Sequence, residues 1–205
     1  MAATDLAEEI RRVTAEGRLM DSSAENIVAL LSGATSEFYH NVVAELMRAG
    51  AWDELNDRFY KTLALGTGGL RGRTIGKVLT MSERGTPDAL ERPEFPCVGT
   101  NSMNYYNISR ATQGLVAYLR DCSGASGITD RPKLVIAHDT RFFSREFTAL
   151  AAKVAAENGC EAYVFDGPRS TPELSFAVRH LRASAGIVVA KRVAIEVSVS
   201  PARTT

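Results

Sequence analysis

The residues with the clearest capacity for chemistry are Gly66-Thr67-Gly68-Gly69-Leu70-Arg71-Gly72, four glycines in a run of seven. Glycines let the backbone take positive φ and approach a ligand closely. Successive N–H groups in such a turn form an anion-binding concavity. Arg71 and the nearby Arg73 add permanent charge in a planar fork that matches phosphate. This loop is not a Walker loop, since Gly72 to Val78 is too short and ends in Val instead of Ser or Thr. It is not a dinucleotide fingerprint either, because Arg71 stands where the third glycine belongs. The composition equally suits a flexible entry loop with a solvent-facing arginine.

Two further polar clusters follow apolar runs. His138-Asp139-Thr140-Arg141 comes directly after Lys133–Ala137. Asp139 and Arg141 fit either an ion pair that pins the loop or a pair that organises a site, and His138 has the chemistry of an acid/base group. Thr171-Pro172 has the residue types that open a helix. The three cysteines, Cys97, Cys122 and Cys160, are widely spaced and form no CxxC pair. They predict small buried hydrophobes, with neither a zinc site nor a disulfide framework.

The elements that must position these residues are read from periodicity. Residues 1–61 predict an N-terminal segment of two or three short helices. Ser22 to Glu25 has capping-box spacing, and Gly33 and Gly50 are expected stops. The segment 62–103 is rich in Gly and Pro, and within it residues 82–97 predict a surface loop with few apolar positions. From Asn104 to about Cys122, the stripe Ile108, Ala111, Leu115, Val116, Leu119 predicts a helix. Strands are expected at Lys133–Ala137, Glu161–Phe165 and Gly186–Ala190. Helices are expected at Ser144–Asn158 and Pro172–Leu181. This alternation predicts an α/β fold: a three-layer α/β/α domain with a mostly parallel sheet, preceded by the helical segment. In such sheets a ligand sits outside the carboxyl ends of the strands. The domains are expected at 1–61, 62–190 and 191–205, the last an atypical tail.

Composition excludes several classes. With 205 residues, 45% of them hydrophobic, the chain can bury a core unaided. Lys+Arg and Asp+Glu both number 24, so the net charge of zero argues against a nucleic-acid binder. No run approaches 18 apolar residues, and the start lacks the apolar stretch of a secretory signal. A cytoplasmic chain with no membrane partner is expected.

The order of motifs is more specific than any one of them. GTGGLRG, ATQGLVAYL (Ala111–Leu119), VIAHDTRFFS (Val135–Ser144), STPELSFAVRHL (Ser170–Leu181) and AGIVVA (Ala185–Ala190) together resemble the first domain of the α-D-phosphohexomutases. The resemblance is strongest to the phosphoglucomutase and phosphomannomutase branch and covers roughly residues 50–190. It implies a four-domain enzyme that moves a phosphoryl group between the 1- and 6-positions of a hexose, through a phosphoserine and a bisphosphorylated intermediate. It implies Gly66, Thr67, Gly68, Gly69 and Arg71 as the phosphate loop, with Arg71 near the reacting phosphate. It also implies Asp139, Arg141 and Thr171 as residues that shape the site. Mg²⁺ is the implied cofactor and a hexose phosphate the implied ligand.

The sequence departs from that pattern after the third strand. Family members continue there with Thr-x-Ser-His-Asn-Pro, whose serine carries the phosphate. This chain reads Ala190-Lys191-Arg192-Val193-Ala194-Ile195 and then EVSVSPARTT. The acidic Mg²⁺ loop and the later domains are also missing from the sequence, so no metal ligand is expected. A truncation, a change of reading frame at 191 and a genuine terminus all fit this departure, and the chain is expected to be inactive alone. The alternative is a non-catalytic module that binds sugar phosphate or associates with a partner.

Overall fold

The computed structural model describes residues 3–66, 69–86, 91–125 and 130–190. The chain divides into two compact units, Met1–Ala64 with Gly72–Asn104, and Leu65–Arg71 with Tyr105–Thr205.

The first unit is built on four helices: α1 (Ala3–Ala15), α2 (Asp21–Gly33), α3 (Glu37–Arg48) and α4 (Trp52–Phe59). Sequence patterning predicts two or three. The extra helix is α4, whose two buried apolar residues, Leu55 and Phe59, are too few to announce a stripe. Each helix turns one apolar stripe inward. Leu6, Ile10 and Val13 of α1 meet Ile27 and Leu30 of α2, Val42, Val43, Leu46 and Met47 of α3, and Leu55 and Phe59 of α4.

The expected cap at Ser22 is not formed. The helix α2 starts one residue earlier, at Asp21, so Ser22 lies inside it, and Met20 precedes it with no side-chain cap. The Met20 N–H instead donates to Asn56 Oδ1 at 2.9 Å. A hydroxyl cap does occur at α3, where Ser36 Oγ accepts from the Phe38 N–H at 3.3 Å.

The stretch expected as a surface loop is partly core. Met81–Arg84 forms a one-turn helix, α5, closed by a capping box of Thr80 and Glu83. Glu83 is fully buried. The Phe95 ring lies 4.9 Å from that of Phe38, and Val98 joins the helical core.

The second unit contains α6 (Tyr105–Ala125), β1 (Lys133–His138), α7 (Ser144–Glu157), β2 (Glu161–Val164), α8 (Thr171–His180) and β3 (Ala185–Val189). The strands form a parallel sheet in the order β2-β1-β3. Val135 stands opposite Tyr163 on one side and Gly186 on the other. The central strand β1 is buried from Leu134 onward, and β3 is buried throughout. The edge strand β2 is more open, with Val164 47% exposed.

Strand alternation sends Val135 and Ala137 to the face where Leu174 and Val178 of α8 pack with Val188. Leu134 and Ile136 point to the other face, where α7 lies against the sheet and α6 against α7. The layers are therefore helix, sheet, helix, as the alternation of elements predicts. Gly159, at φ 90°, ends α7 just before β2.

Candidate strand-end site and glycine-rich loop

The glycine-rich stretch closes on itself. Gly66 and Gly69 exchange two backbone hydrogen bonds, of 3.2 and 3.0 Å, and Gly69 has φ 102°, a conformation side chains rarely adopt. Thr67 and Gly68 lie outside the described residues. Leu70 is buried and fastens the turn, while Arg71 is exposed and makes no ion pair among the described residues. A tight turn followed by an unpaired guanidinium has the chemistry to hold an anion.

Arg73 does not share that role. Its guanidinium pairs with Asp57, and with Glu54 at 3.5 Å, both on α4. The sequence alone assigns its charge to the loop. The structure neutralises it on the helical unit, where the Arg73 carbonyl also accepts from the Met103 N–H at 2.8 Å.

Three chain segments meet at the carboxyl edge of the sheet. The Asp139 N–H donates to the Val189 carbonyl at 3.0 Å, joining the β1 loop to the end of β3. The Arg169 N–H donates to the His138 carbonyl at 2.9 Å, joining the β2 loop to the end of β1. Asp139 organises its own loop: one oxygen accepts from the Arg141 N–H at 3.0 Å and the Ser144 hydroxyl at 2.7 Å. Its other oxygen faces Arg141 Nε at 3.0 Å. His138 is buried, with Nδ1 2.8 Å from the Asp139 carbonyl. A carbonyl only accepts, so Nδ1 carries the proton.

In the neighbouring loop, Arg169 stacks over Phe165 and pairs with Asp166 at 2.8 Å. Thr171 is exposed and does not cap α8. That position falls to Ser170, whose N–H and hydroxyl donate to Glu173 at 3.0 and 3.1 Å. Those two bonds, joined by the charge of Arg169, hold the Glu173 carboxyl below the usual carboxylate range. The capping-box spacing of Ser170 and Glu173 is visible in the sequence, but the adjacent Thr171-Pro172 pair draws attention away from it.

The strongest electrostatic feature lies on the helical unit and was legible only in part. Arg58 is fully buried on α4. Its Nε donates to Glu54 at 2.7 Å, Nη1 to Glu83 at 2.5 Å and Nη2 to the Val78 carbonyl at 2.7 Å. Burial opposes the charge of Arg58, but Glu83 and Glu54 outweigh it and raise its pKa. Burial likewise opposes ionisation of Glu54, yet Arg58, Arg73 and the Lys77 N–H hold its carboxyl below the ordinary value. Spacing of i, i+4 links Glu54 to Arg58 in the sequence. Nothing local signals Glu83, which is 25 residues away.

These acids do not make a Mg²⁺ site. Both oxygens of Asp139 face Arg141 and Ser144, and Asp166 faces Arg169. Among the described residues, no group of three or more His, Cys, Asp or Glu side chains is placed to hold a metal.

Comparison with known proteins bears on the sheet-bearing part of the chain. Residues 97–191 match the description "Phosphoglucomutase/phosphomannomutase, alpha/beta/alpha domain I". Residues 97–191 carry the phosphoglucomutase/phosphomannomutase α/β/α domain I. The chain is similar to a phosphoglucomutase of Staphylococcus saprophyticus, 32% identical over 149 residues, which is 73% of this chain and 22% of that protein. A phosphoglucomutase of Staphylococcus haemolyticus is 33% identical over 131 residues, covering 64% of this chain and 19% of the relative. One of Staphylococcus epidermidis is 32% identical over 153 residues, covering 75% and 21%. The phosphohexomutase domain thus comes in a chain that spans about a fifth of the length of the curated relatives it matches. No solved structure gave a significant match.

Proposed function

We propose that this chain is the sugar-phosphate-facing first domain of a phosphoglucomutase-type phosphotransferase, and that by itself it does not turn over. The observation that carries this reading is Arg71, exposed and without an ion pair among the described residues, beside a closed glycine turn in the unit that holds most of the domain I match. Phosphoryl transfer depends on positioned positive charge around the reacting group. On this reading Arg71 and the turn at Gly66–Gly69, with Thr67 and Gly68, meet the phosphate. Asp139, Arg141 and Thr171 shape the strand-end side of the same site.

The covalent step needs a nucleophile. The chain has Ala190-Lys191-Arg192 where a serine loop would begin. Mg²⁺ belongs to the intact enzyme's chemistry on this reading, and the described residues do not hold it. On this reading the domain faces a hexose phosphate in the cytoplasm, with no nucleic-acid or membrane partner. By sequence it divides at 1–61, 62–190 and 191–205, although in space Gly72–Asn104 keeps company with the helical unit.

The test is a coupled assay of glucose 1-phosphate conversion to glucose 6-phosphate by the full chain, with Mg²⁺ and glucose 1,6-bisphosphate. No turnover is expected. Turnover that disappears in Ser198→Ala or Ser200→Ala would show that the tail supplies a nucleophile after all. The lack of an ion pair for Arg71 among the described residues also favours a second reading, a module that binds sugar phosphate without reacting. Saturable binding with no turnover in any combination of domains would support that reading over the first.

A further inference from the structure

We propose that Arg58 is a latch. It holds a strap, residues 73–86 and 91–101, on the helical unit, and breaking it frees the strap as one element while α1–α4 stay folded.

The convergence on this one residue is dense. Val78, Glu83 and Val98 of the strap all accept from its guanidinium. The Asn101 N–H donates to the Arg58 carbonyl at 2.8 Å, and the Lys77 N–H donates to its partner Glu54 at 3.0 Å. Gly76 and Gly99 press against it so closely that a Cβ would lie 1.9 Å from Arg58 Nη2 and 2.7 Å from the Arg58 carbonyl oxygen, respectively. Glu83 completes the latch from the strap side, accepting from the Val98 N–H at 2.8 Å.

Apolar anchorage of the strap is slight. Among the described residues, Val98 is its one member of the buried helical core, and Phe95 touches Phe38 at the rim. Pro93, Pro96 and Cys97 are buried as well, and polar ties are added to these, including Glu45, which accepts from the Met81 N–H at 2.6 Å. Segments with few buried apolar contacts open locally at lower cost than the core beneath them. A buried ion pair that loses one partner leaves an uncompensated charge, and that charge favours opening to water.

The chain carries its own reporters. Cys97 sits in the strap, 1% exposed, with Sγ 3.6 Å from the Arg73 carbonyl. Burial pushes its thiol up, so it stays unreactive while the strap is closed. The single tryptophan, Trp52, lies on α4 against the helical core, with Arg18 5.9 Å from its ring. Its emission reports the helices and not the strap.

The experiment is peptide-resolved maleimide labelling of Cys97 in the full chain, read beside Trp52 emission, in the wild type, Arg58→Gln and Glu83→Gln. Labelling of Cys97 should accelerate on the order of a hundredfold in Arg58→Gln and about tenfold in Glu83→Gln, with Trp52 emission unchanged. Cys97 as protected as in the wild type in both variants would overturn the latch. So would a red shift of Trp52 that accompanies labelling in Glu83→Gln, which leaves α4 itself untouched. That result would make the cluster a strut of the whole unit.

Discussion

Asp139 spends one oxygen on the Arg141 N–H and the Ser144 hydroxyl and the other on the Arg141 guanidinium. The sequence leaves open whether this pair pins its loop or organises a site, and the geometry shows the pinning. Ser144 is fully buried, so its hydroxyl needs that acceptor. Asp139→Ala should therefore cost about 1–3 kcal/mol in urea unfolding. Arg141→Ala, removing a half-exposed partner, should cost under about 1 kcal/mol. Equal losses would contradict the role given to Ser144. Glu54 makes a pH prediction. Its folded pKa is depressed, so its contribution is complete above the ordinary glutamate value of about 4.3 and fades as pH falls through that value toward the folded one. Denaturant midpoints measured from pH 7 to 3 should fall in the wild type, and less steeply in Glu54→Gln. Parallel curves would contradict this. What was legible at this scale was local spacing, such as Asp139 with Arg141. Glu83 was not, because a charged residue in a polar stretch reads as surface until its distant partner is known.

Among elements, the strands and helices from 105 to 189 follow their hydrophobic periods to within a few residues, because each buries a regular face. Differences occur at the ends: β1 extends to His138, and α8 begins at Thr171 with its capping serine one residue earlier. Residues 82–97 read as a surface loop because the tie of Glu83 to Arg58 is ionic, and patterning detects only apolar burial. Ile136→Ala, in the fully buried central strand, should destabilise by about 2–5 kcal/mol. Val164→Ala on the open edge strand should cost under about 1 kcal/mol. Chemical denaturation of both variants checks the contrast, and similar losses would place the core elsewhere. Gly99→Ala tests the strap's close seat: its added Cβ meets the Arg58 carbonyl oxygen at 2.7 Å, which is backbone and cannot swing aside. Destabilisation of about 1–3 kcal/mol is expected. A neutral result would mean that the strap sits looser than the structure has it.

For the molecule as a whole, the order of motifs carried more than any single residue. The glycine loop, the strand-end Asp-x-Arg and the Thr-Pro helix start are each ordinary alone, and only their sequence along the chain resembled domain I. The match over residues 97–191 agrees with that reading. The helical unit was legible as helices, but the segment laid against it was not, since a buried arginine ties that segment down. The claim on which the functional account rests is that Arg71 beside the glycine turn binds a phosphate. The direct measurement is calorimetric titration of the full chain with glucose 1-phosphate at low and high salt, comparing the wild type with Arg71→Ala. The account expects weak, saturable binding that salt weakens and that Arg71→Ala reduces about tenfold or more, since a charged hydrogen bond to phosphate contributes about 1.5–3 kcal/mol. Binding by Arg71→Ala equal to that of the wild type would contradict it, as would no binding by the wild type at low salt.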